Sequence, residues 1–281
     1  MRDRSAFVRD GIIDHDVLFW VALALKLALT AGIVVSASFA LERAGPLIGA
    51  LIVTLPVTVW PAYVFLSLDH APAYLAASAQ SSLPANAASA PFMLVYVLLA
   101  QRRNLPVSLG AAIACWAVLA MLIPATRWSP VWGLLLCLGA YAACLVASRR
   151  FRAAPIPRVA RRWYELPLRT GLVCALMGTV LGISYWAGPD ATGILAAYPI
   201  STTSTMLVVH TRIGGGASAA VVANALWGMI GIAWGLFALA VAIVPLGTVP
   251  ALVLALVVPI AWNLTVWLVQ HRRALVEKGS A

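Results

Sequence analysis

Charge is the property that this sequence has least of. Only 10% of its 281 residues are Asp, Glu, Lys or Arg, whereas about 25% is usual in a soluble domain. Hydrophobic residues make up 63% of the chain, and the mean hydropathy is +0.95. So little polar surface excludes a soluble fold. Apolar runs of about 20 residues recur from end to end and predict an all-α, polytopic membrane helix bundle.

Other residues and motifs that the sequence lacks limit the functions it can have. The chain has nine acidic residues, and none is placed in the middle of an apolar run, although many proton-coupled carriers hold a carboxylate there. Its four cysteines lack CxxC spacing and are expected to be small packing residues. Walker A, HExxH and GxSxG motifs are missing. The sequence therefore predicts neither an enzyme nor a metal or cofactor site.

Nine membrane-spanning helices are predicted from the apolar runs. They cover residues 17–41, 45–69, 73–101, 105–125, 129–148, 166–187, 190–211, 216–243 and 247–270. With the N-terminus outside, 14 Lys and Arg residues fall on the cytoplasmic side and 4 on the outer side, as the positive-inside rule requires. The net charge of +10 is therefore explained by topology and anionic lipids, and nucleic acid is not an expected partner.

The strongest pattern in the sequence is an internal repeat. Four pairs of residues share an offset of 143 without a gap: Gly45/Gly188, Pro46/Pro189, Pro56/Pro199 and Thr58/Ser201. The same offset pairs Lys26 with Arg169, and a five-residue deletion then aligns Asn86 with Asn224. A single membrane domain over 1–281 is predicted, with repeat one at 17–125, a connector at 126–165 and repeat two at 166–270. Matching helices are five spans apart, so the two repeats should have inverted orientation.

The repeat places a proline near the middle of predicted helices 2 and 7. Proline removes a backbone hydrogen bond, and inside a bilayer the freed groups need protein, water or a ligand as partners. Paired helix breaks at the midplane are typical of the binding sites of secondary transporters, although tolerated kinks are the alternative. The predicted substrate-binding residues are Thr54, Pro56, Thr58, Asn86, Pro199, Ser201, Thr202, Thr203, Ser204, Asn224 and Lys26. The hydroxyl and amide groups among them can hold Na⁺ or a polar solute, and they can equally join helices to one another.

Lys26 is a cation inside predicted helix 1. An ammonium group in the membrane costs a few kcal/mol unless it snorkels or is paired. Its role is open: it attracts an anion into an outward-facing cavity, or it snorkels to the interface or pairs with an outer carboxylate such as Asp69.

Each half of the chain resembles the small GlpM-like bacterial inner-membrane proteins. The shared features are four spans and a second helix with a Gly-Pro-(apolar)-Pro pattern, here Gly45-Pro46 to Pro56 and Gly188-Pro189 to Pro199. The resemblance implies a duplicated bacterial membrane module in the inner (plasma) membrane. It carries over no catalytic residues.

The leading hypothesis is a secondary carrier for a small polar or anionic solute, with its site at the two helix breaks. One alternative is a non-transporting membrane subunit or scaffold that uses the basic segment at 149–165. Another is a lipid-handling protein that binds phosphate head groups through the same arginines. The expected partners are membrane lipids and a small solute, with a homodimer as a possible assembly.

Overall fold

The computed structural model describes residues 19–36, 59–122, 128–154 and 162–279. Every regular element in these ranges is helical. The α-helices are α1 Phe19–Ser36, α2 Val59–Asp69, α3 Pro72–Ala87, α4 Ser89–Leu99, α5 Leu105–Leu122, α6 Pro130–Ala147, α7 Glu165–Ser184, α8 Gly188–Ala196, α9 Ile200–Leu246 and α10 Thr248–Gly279. A short 3-10 turn, Arg149–Phe151, follows α6.

Seven helical stretches in these ranges are long and apolar enough to cross a membrane. Two of them contain more than one helix: α3 with α4, and α8 with α9, which together run for 59 residues. A straight helix of that length would measure about 90 Å, some three times the hydrocarbon core of a bilayer. Large apolar side chains face outward, such as Met121, Leu122 and Val118 on α5. The chain is therefore a helical membrane bundle.

The long α8–α9 stretch is interrupted twice. α8 ends at Ala196 and α9 begins at Ile200. Inside α9, Gly214 has φ 83° and ψ 167°, a conformation that glycine adopts without the steric cost of a side chain. α9 consequently has two limbs, 200–213 and 215–246, that meet at an angle.

α3 and α4 form the centre of the bundle. Together they correspond to the predicted span 73–101, although they end at Leu99, and they are separated only at Ala88, after Pro84 inside α3. In an 18-residue window of their span 72% of the residues are buried, against 17% in α1 and 22% in a window of α10. They pack against α6, α8 and α9. Tyr63 of α2 and Tyr96 of α4 are among the largest fully buried side chains.

Two glycines let backbones meet in this centre. A Cβ atom added at Gly193 of α8 would clash with Ser78 O of α3, and one added at Gly215 of α9 would clash with Ala100 O at the end of α4. No side chain larger than hydrogen fits at either contact without a shift of the helices. We call these two contacts the glycine seams. They hold α8 and α9 against the α3–α4 pair.

Several predicted boundaries differ from the observed ones. The span predicted at 190–211 begins at Gly188 and is broken before Ile200, because Pro189 suits the first turn of a helix and Pro199 interrupts one. The span predicted at 216–243 is continuous with it across Gly214. The span predicted at 45–69 is described only from Val59 onward. The count of nine spans and the inverted orientation of the repeats stay predictions.

Candidate functional site

The predicted helix break at Pro199 is present. Since Pro199 has no N–H group, the chain closes tighter turns on both sides of it: Tyr198 N donates to Leu195 O at 3.0 Å, and Ile200 N donates to Tyr198 O at 2.8 Å. The backbone leaves the helical path between Ala196 and Ile200. The residues predicted to form the matching break, Thr54, Pro56 and Thr58, lie outside the described ranges.

Most of the hydroxyl groups after the break bond to their own helix. Thr203 Oγ1 donates to the proline carbonyl oxygen at 3.0 Å. Ser204 Oγ and Thr205 Oγ1 each donate to Ser201 O at 2.8 Å. Such local bonds satisfy hydroxyls inside an apolar helix without any ligand. The side chains of Ser201 and Thr202 are half-buried, so these two are the predicted hydroxyls that remain partly accessible beside the break.

An aromatic group that the sequence analysis did not select lies against the break. The Tyr198 ring meets Trp116 of α5 edge-on at 4.8 Å and Phe92 of α4 at 6.4 Å between ring centroids. Thr203 Oγ1 lies 3.3 Å from the Tyr198 hydroxyl. Trp116 Nε1 is buried and has no hydrogen-bond partner among the described residues. Tyr198 could have been found from its position before Pro199, whereas only packing brings Trp116 to it.

The two asparagines of the predicted site join helices to the connector segment. Asn86 Oδ1 and Asn86 O both accept from Tyr141 Oη, at 3.3 and 3.0 Å, and Asn86 Nδ2 lies 3.8 Å from Cys137 Sγ. Asn224 Nδ2 donates to Arg152 O at 3.2 Å and to a carbonyl of its own helix. In these contacts the two asparagines join helices, which was one of the two roles that the sequence left open for them. Neither asparagine is brought to the break by a described contact.

Lys26, in the N-terminal half of α1, belongs to a polar cluster. Its ammonium group forms an ion pair with Asp69 at the C-terminal end of α2, which is the pairing alternative for this residue. Tyr185 Oη also donates to Asp69, at 2.9 Å, and the next residue, His70, lies 2.9 Å from Ser184 Oγ through Nε2. The Lys26 and Asp69 side chains are only 11% and 20% exposed. We call these five residues the Lys26 cluster.

Tyr185 donates its hydroxyl hydrogen to the Asp69 carboxylate. Burial raises the pKa of Tyr185 to about 12, and the hydrogen bond to the Asp69 carboxylate acts in the same direction. The phenol therefore stays protonated and donates to the carboxylate over the physiological pH range. His70 responds in the opposite sense, because burial lowers its pKa. The cluster thus holds one carboxylate, one ammonium and neutral donors.

A second cluster contains Arg212. Arg212 near the end of the first limb of α9 forms an ion pair with Glu165, the first residue of α7, and the two side chains are 12% and 16% exposed. Tyr96 Oη of α4 lies 2.9 Å from His210 Nδ1 and 2.7 Å from Ser218 Oγ. We call these five residues the Arg212 cluster. The sequence analysis placed a helix end here but gave these residues no role at the site.

The two clusters lie at opposite ends of α7. Glu165 begins this helix, whereas Ser184 and Tyr185 end it. Its 20 residues measure about 30 Å, which is the thickness of the hydrocarbon core. The two charged residues at the ends of the second helices, Asp69 and Arg212, are 143 positions apart. The predicted repeat offset thus relates one member of each ion pair, Asp69 and Arg212, which have opposite charges, whereas it pairs Lys26 with Arg169 and not with Glu165.

Two cavities lie away from the break. One, of about 20 Å³, is lined by apolar residues of α2, α9 and α10, including Trp60 and Leu239, and has room for about one water molecule. The other is an open groove of about 580 Å³ between the ends of α1 and α7, beside Trp20 and Trp186. Among the described residues, no three His, Cys, Asp or Glu side chains could hold a metal ion together.

Comparisons of the chain with protein-family models, with curated proteins and with solved structures found no match. The resemblance of each half to the GlpM-like proteins therefore stays a prediction.

Proposed function

We propose that this protein is a secondary carrier that moves a small polar solute across the inner membrane by alternating access. Such a carrier needs a central site with a closure on each side, and the closures open in turn as one region of the bundle rocks against another. The observation that carries the proposal is the pair of partly buried ion pairs at opposite ends of α7, Lys26–Asp69 and Glu165–Arg212. The break at Pro199 lies between them along α8 and α9.

The inverted repeat gives this arrangement its architecture. In the proposed nine-helix topology, α1 and α2 belong to the first repeat and α7 and α8 to the second. Each ion pair then joins the N-terminal half of the first helix of a repeat to the end of its second helix. Inversion puts the Lys26 cluster at the outer face and the Arg212 cluster at the cytoplasmic face.

Two helices are suited to move together as a unit. α1 packs along α7: Cys174 Sγ lies 3.6 Å from Leu27 O, and Val34 packs with Val173. Phe19 meets Tyr185 edge-on, with 5.4 Å between their ring centroids. One member of each ion pair belongs to this two-helix unit, and the other belongs to α2 or α9. A tilt of the unit would open either ion pair while keeping the other closed, which is the reciprocity that alternating access requires.

The break supplies groups for a solute. Ser201 and Thr202 offer partly accessible hydroxyls, and the buried Trp116 Nε1 is a hydrogen-bond donor without a partner among the described residues. A buried donor that finds no partner costs about 1–3 kcal/mol. A polar solute that accepts from Trp116 would recover that free energy. The rings of Tyr198 and Phe92 provide an apolar wall for the rest of the molecule.

The proposal is tested by measuring from which side the break can be reached. The four native cysteines are replaced by Ser or Ala, and Ser201→Cys or Thr202→Cys is introduced. A membrane-impermeant thiol reagent is applied to right-side-out and to inside-out vesicles. We expect labelling from both sides. Asp69→Asn should increase labelling from outside, and Glu165→Gln should increase labelling from the cytoplasm, because each weakens one closure.

Val118→Cys is the matched control. Val118 is 55% exposed on α5, within a membrane-spanning helix, and a charged reagent should not reach it from either side. Labelling of both break positions from one side only, or from neither, in every variant would overturn the carrier. The same holds if Asp69→Asn and Glu165→Gln change labelling on the same side.

A further inference from the structure

The Lys26–Asp69 pair combines two opposite charges where a carrier needs a closure. Lys26 is the one charged residue that is buried among the described side chains, and the Asp69 carboxylate also accepts from Tyr185. The other titratable group in the cluster, His70, has its pKa lowered by burial and is neutral near pH 7. The ion pair thus has one positive and one negative group and no net charge.

When Lys26 and Asp69 separate, the charge of the solute decides which of the two groups it can compensate. Two opposite charges that separate in a poorly solvated place lose their attraction and leave both the cation and the anion uncompensated. A neutral solute compensates neither charge. A monoanion compensates Lys26 and leaves Asp69, whereas a monocation does the reverse. A zwitterion compensates both charges at once.

We infer that the solute is a small zwitterion of the α-amino acid type, whose carboxylate pairs with Lys26 and whose ammonium group pairs with Asp69 as their mutual ion pair opens. This inference rests on the proposed carrier function and names its class of substrate. It revises the expectation of an anionic solute, because Lys26 is partnered by a carboxylate. The exchange of partners involves no covalent step and no net movement of charge.

Beyond the Lys26 pair, the Tyr198, Phe92 and Trp116 rings beside the break provide an apolar wall for the side chain of an α-amino acid that has passed this closure. The far closure also contains both signs, in Glu165 and Arg212. Arg169 lies one helical turn from Glu165 and adds a second cation to that end. We therefore place selection for both charges at the Lys26 pair.

The experiment uses the purified full chain in proteoliposomes at pH 7 with two sets of radiolabelled probes. One set is alanine, lactate and alaninamide, which share a six-atom skeleton and carry both charges, only the negative one, or only the positive one. The other set is leucine, 2-hydroxy-4-methylpentanoate and leucinamide. We expect uptake of the zwitterion in at least one set, at a rate about tenfold or more above that of both analogues.

Variants of the pair make the test specific. Asp69→Asn leaves a cation and should shift the preference toward the hydroxy acid, whereas Lys26→Met leaves an anion and should shift it toward the amide. Each shift in the ratio of rates should be about tenfold. Exchange of the two residues, Lys26→Asp with Asp69→Lys, keeps both signs and should keep the preference for the zwitterion. Elution as a single species in detergent verifies that each variant folds.

Different results would contradict the zwitterionic solute and the carrier function. Preferred uptake of a hydroxy acid or an amide by the unaltered protein would overturn the zwitterion while leaving a carrier. Uptake of none of the six probes, in a protein whose break is reached from both sides, would do the same. A break that is not reached from both sides removes the carrier itself. Unchanged preference in folded Asp69→Asn and Lys26→Met would show that the pair does not select charge.

Discussion

His70 is held between groups of opposite charge and is sensitive to each of them. Burial is the main reason that its pKa is lowered; Asp69 acts in the opposite direction, and Lys26 acts in the same direction as burial. Its ring stacks on Tyr74 of α3 at 4.0 Å between centroids, and Nε2 lies 2.9 Å from Ser184 Oγ of α7. A proton added to this ring would put a second cation beside Lys26.

Stability should therefore fall on acidification through His70. Its pKa is lower in the folded chain than the value of about 6.5 in the unfolded chain, so below that pH the unfolded chain binds the proton more readily. The stabilisation is complete above about pH 6.5 and is lost as the pH falls further. Thermal unfolding in detergent from pH 7.5 to 5.5 should show a falling midpoint, and His70→Gln should flatten this region of the profile.

His271→Gln, in the last turns of α10, is the control and should leave the slope unchanged. Equal slopes in the unaltered protein and in His70→Gln would show that other groups cause the acid sensitivity.

Individual side chains were the hardest feature of the site to predict. The sequence identified Lys26 and the hydroxyls after Pro199, but periodicity does not show what a side chain bonds. Asn86 bonds Tyr141 on α6, and Thr203 bonds the preceding turn of its own helix. The contact of Asn86 depends on the angle at which two helices meet. Trp116 was missed for the same reason, since it lies far from Tyr198 in sequence and adjacent to it in space.

The glycine seams set the positions of whole helices. At Gly193, α8 approaches the backbone of α3 until only a hydrogen atom fits beside Ser78 O, and Ser82 Oγ donates to Gly193 O at 2.6 Å in the same place. Tyr63 Oη continues this contact at 2.7 Å from Ser82 Oγ. The helix that precedes the break is thus fixed on the side facing the centre of the bundle.

Gly193→Ala should destabilise the protein by about 1–3 kcal/mol, because overpacking at this contact pushes α8 away from α3. The midpoint of unfolding in SDS measures the change. Gly139→Ala is the matched control: Gly139 lies inside α6 with nothing within 4 Å of an added Cβ. Alanine there should be neutral or stabilising by about 0.5–1 kcal/mol. A similar loss in both variants would mean that the seam is not tight.

Helices as elements were largely predictable, because length and apolar character are written in consecutive residues. The predicted spans 105–125 and 166–187 correspond to Leu105–Leu122 and Glu165–Ser184. Prediction was weaker where backbone geometry decides the boundary. The kink at Gly214 depends on a positive φ, and a Gly-Gly-Gly run does not reveal which of its members adopts it.

For the whole molecule, the charge asymmetry of the loops predicts the orientation in the membrane. A reporter inserted at Ala154, or fused after Ala281, should report the cytoplasm. Reporters at Met1 and at Ser129 should report the outer side. Dual fusions of alkaline phosphatase and green fluorescent protein provide the measurement, since each is active on one side only. Reporters at Ala154 and Ser129 that give the same side would contradict the nine-helix topology and, with it, the inversion of the repeats.

Val34, Val173 and Ile200 form a small apolar contact, and its position matters for movement of the α1–α7 unit in the proposed carrier. Val173 lies near the middle of α7 and Ile200 directly after the break, so in the proposed carrier this contact is the pivot about which the two halves of the α1–α7 unit tilt. With halves of about 15 Å, a tilt of about 15° displaces each tip by about 4 Å. That travel exceeds the reach of a hydrogen bond. In the proposed carrier, Val173→Phe enlarges this contact and should therefore slow solute uptake into proteoliposomes without changing any charged residue.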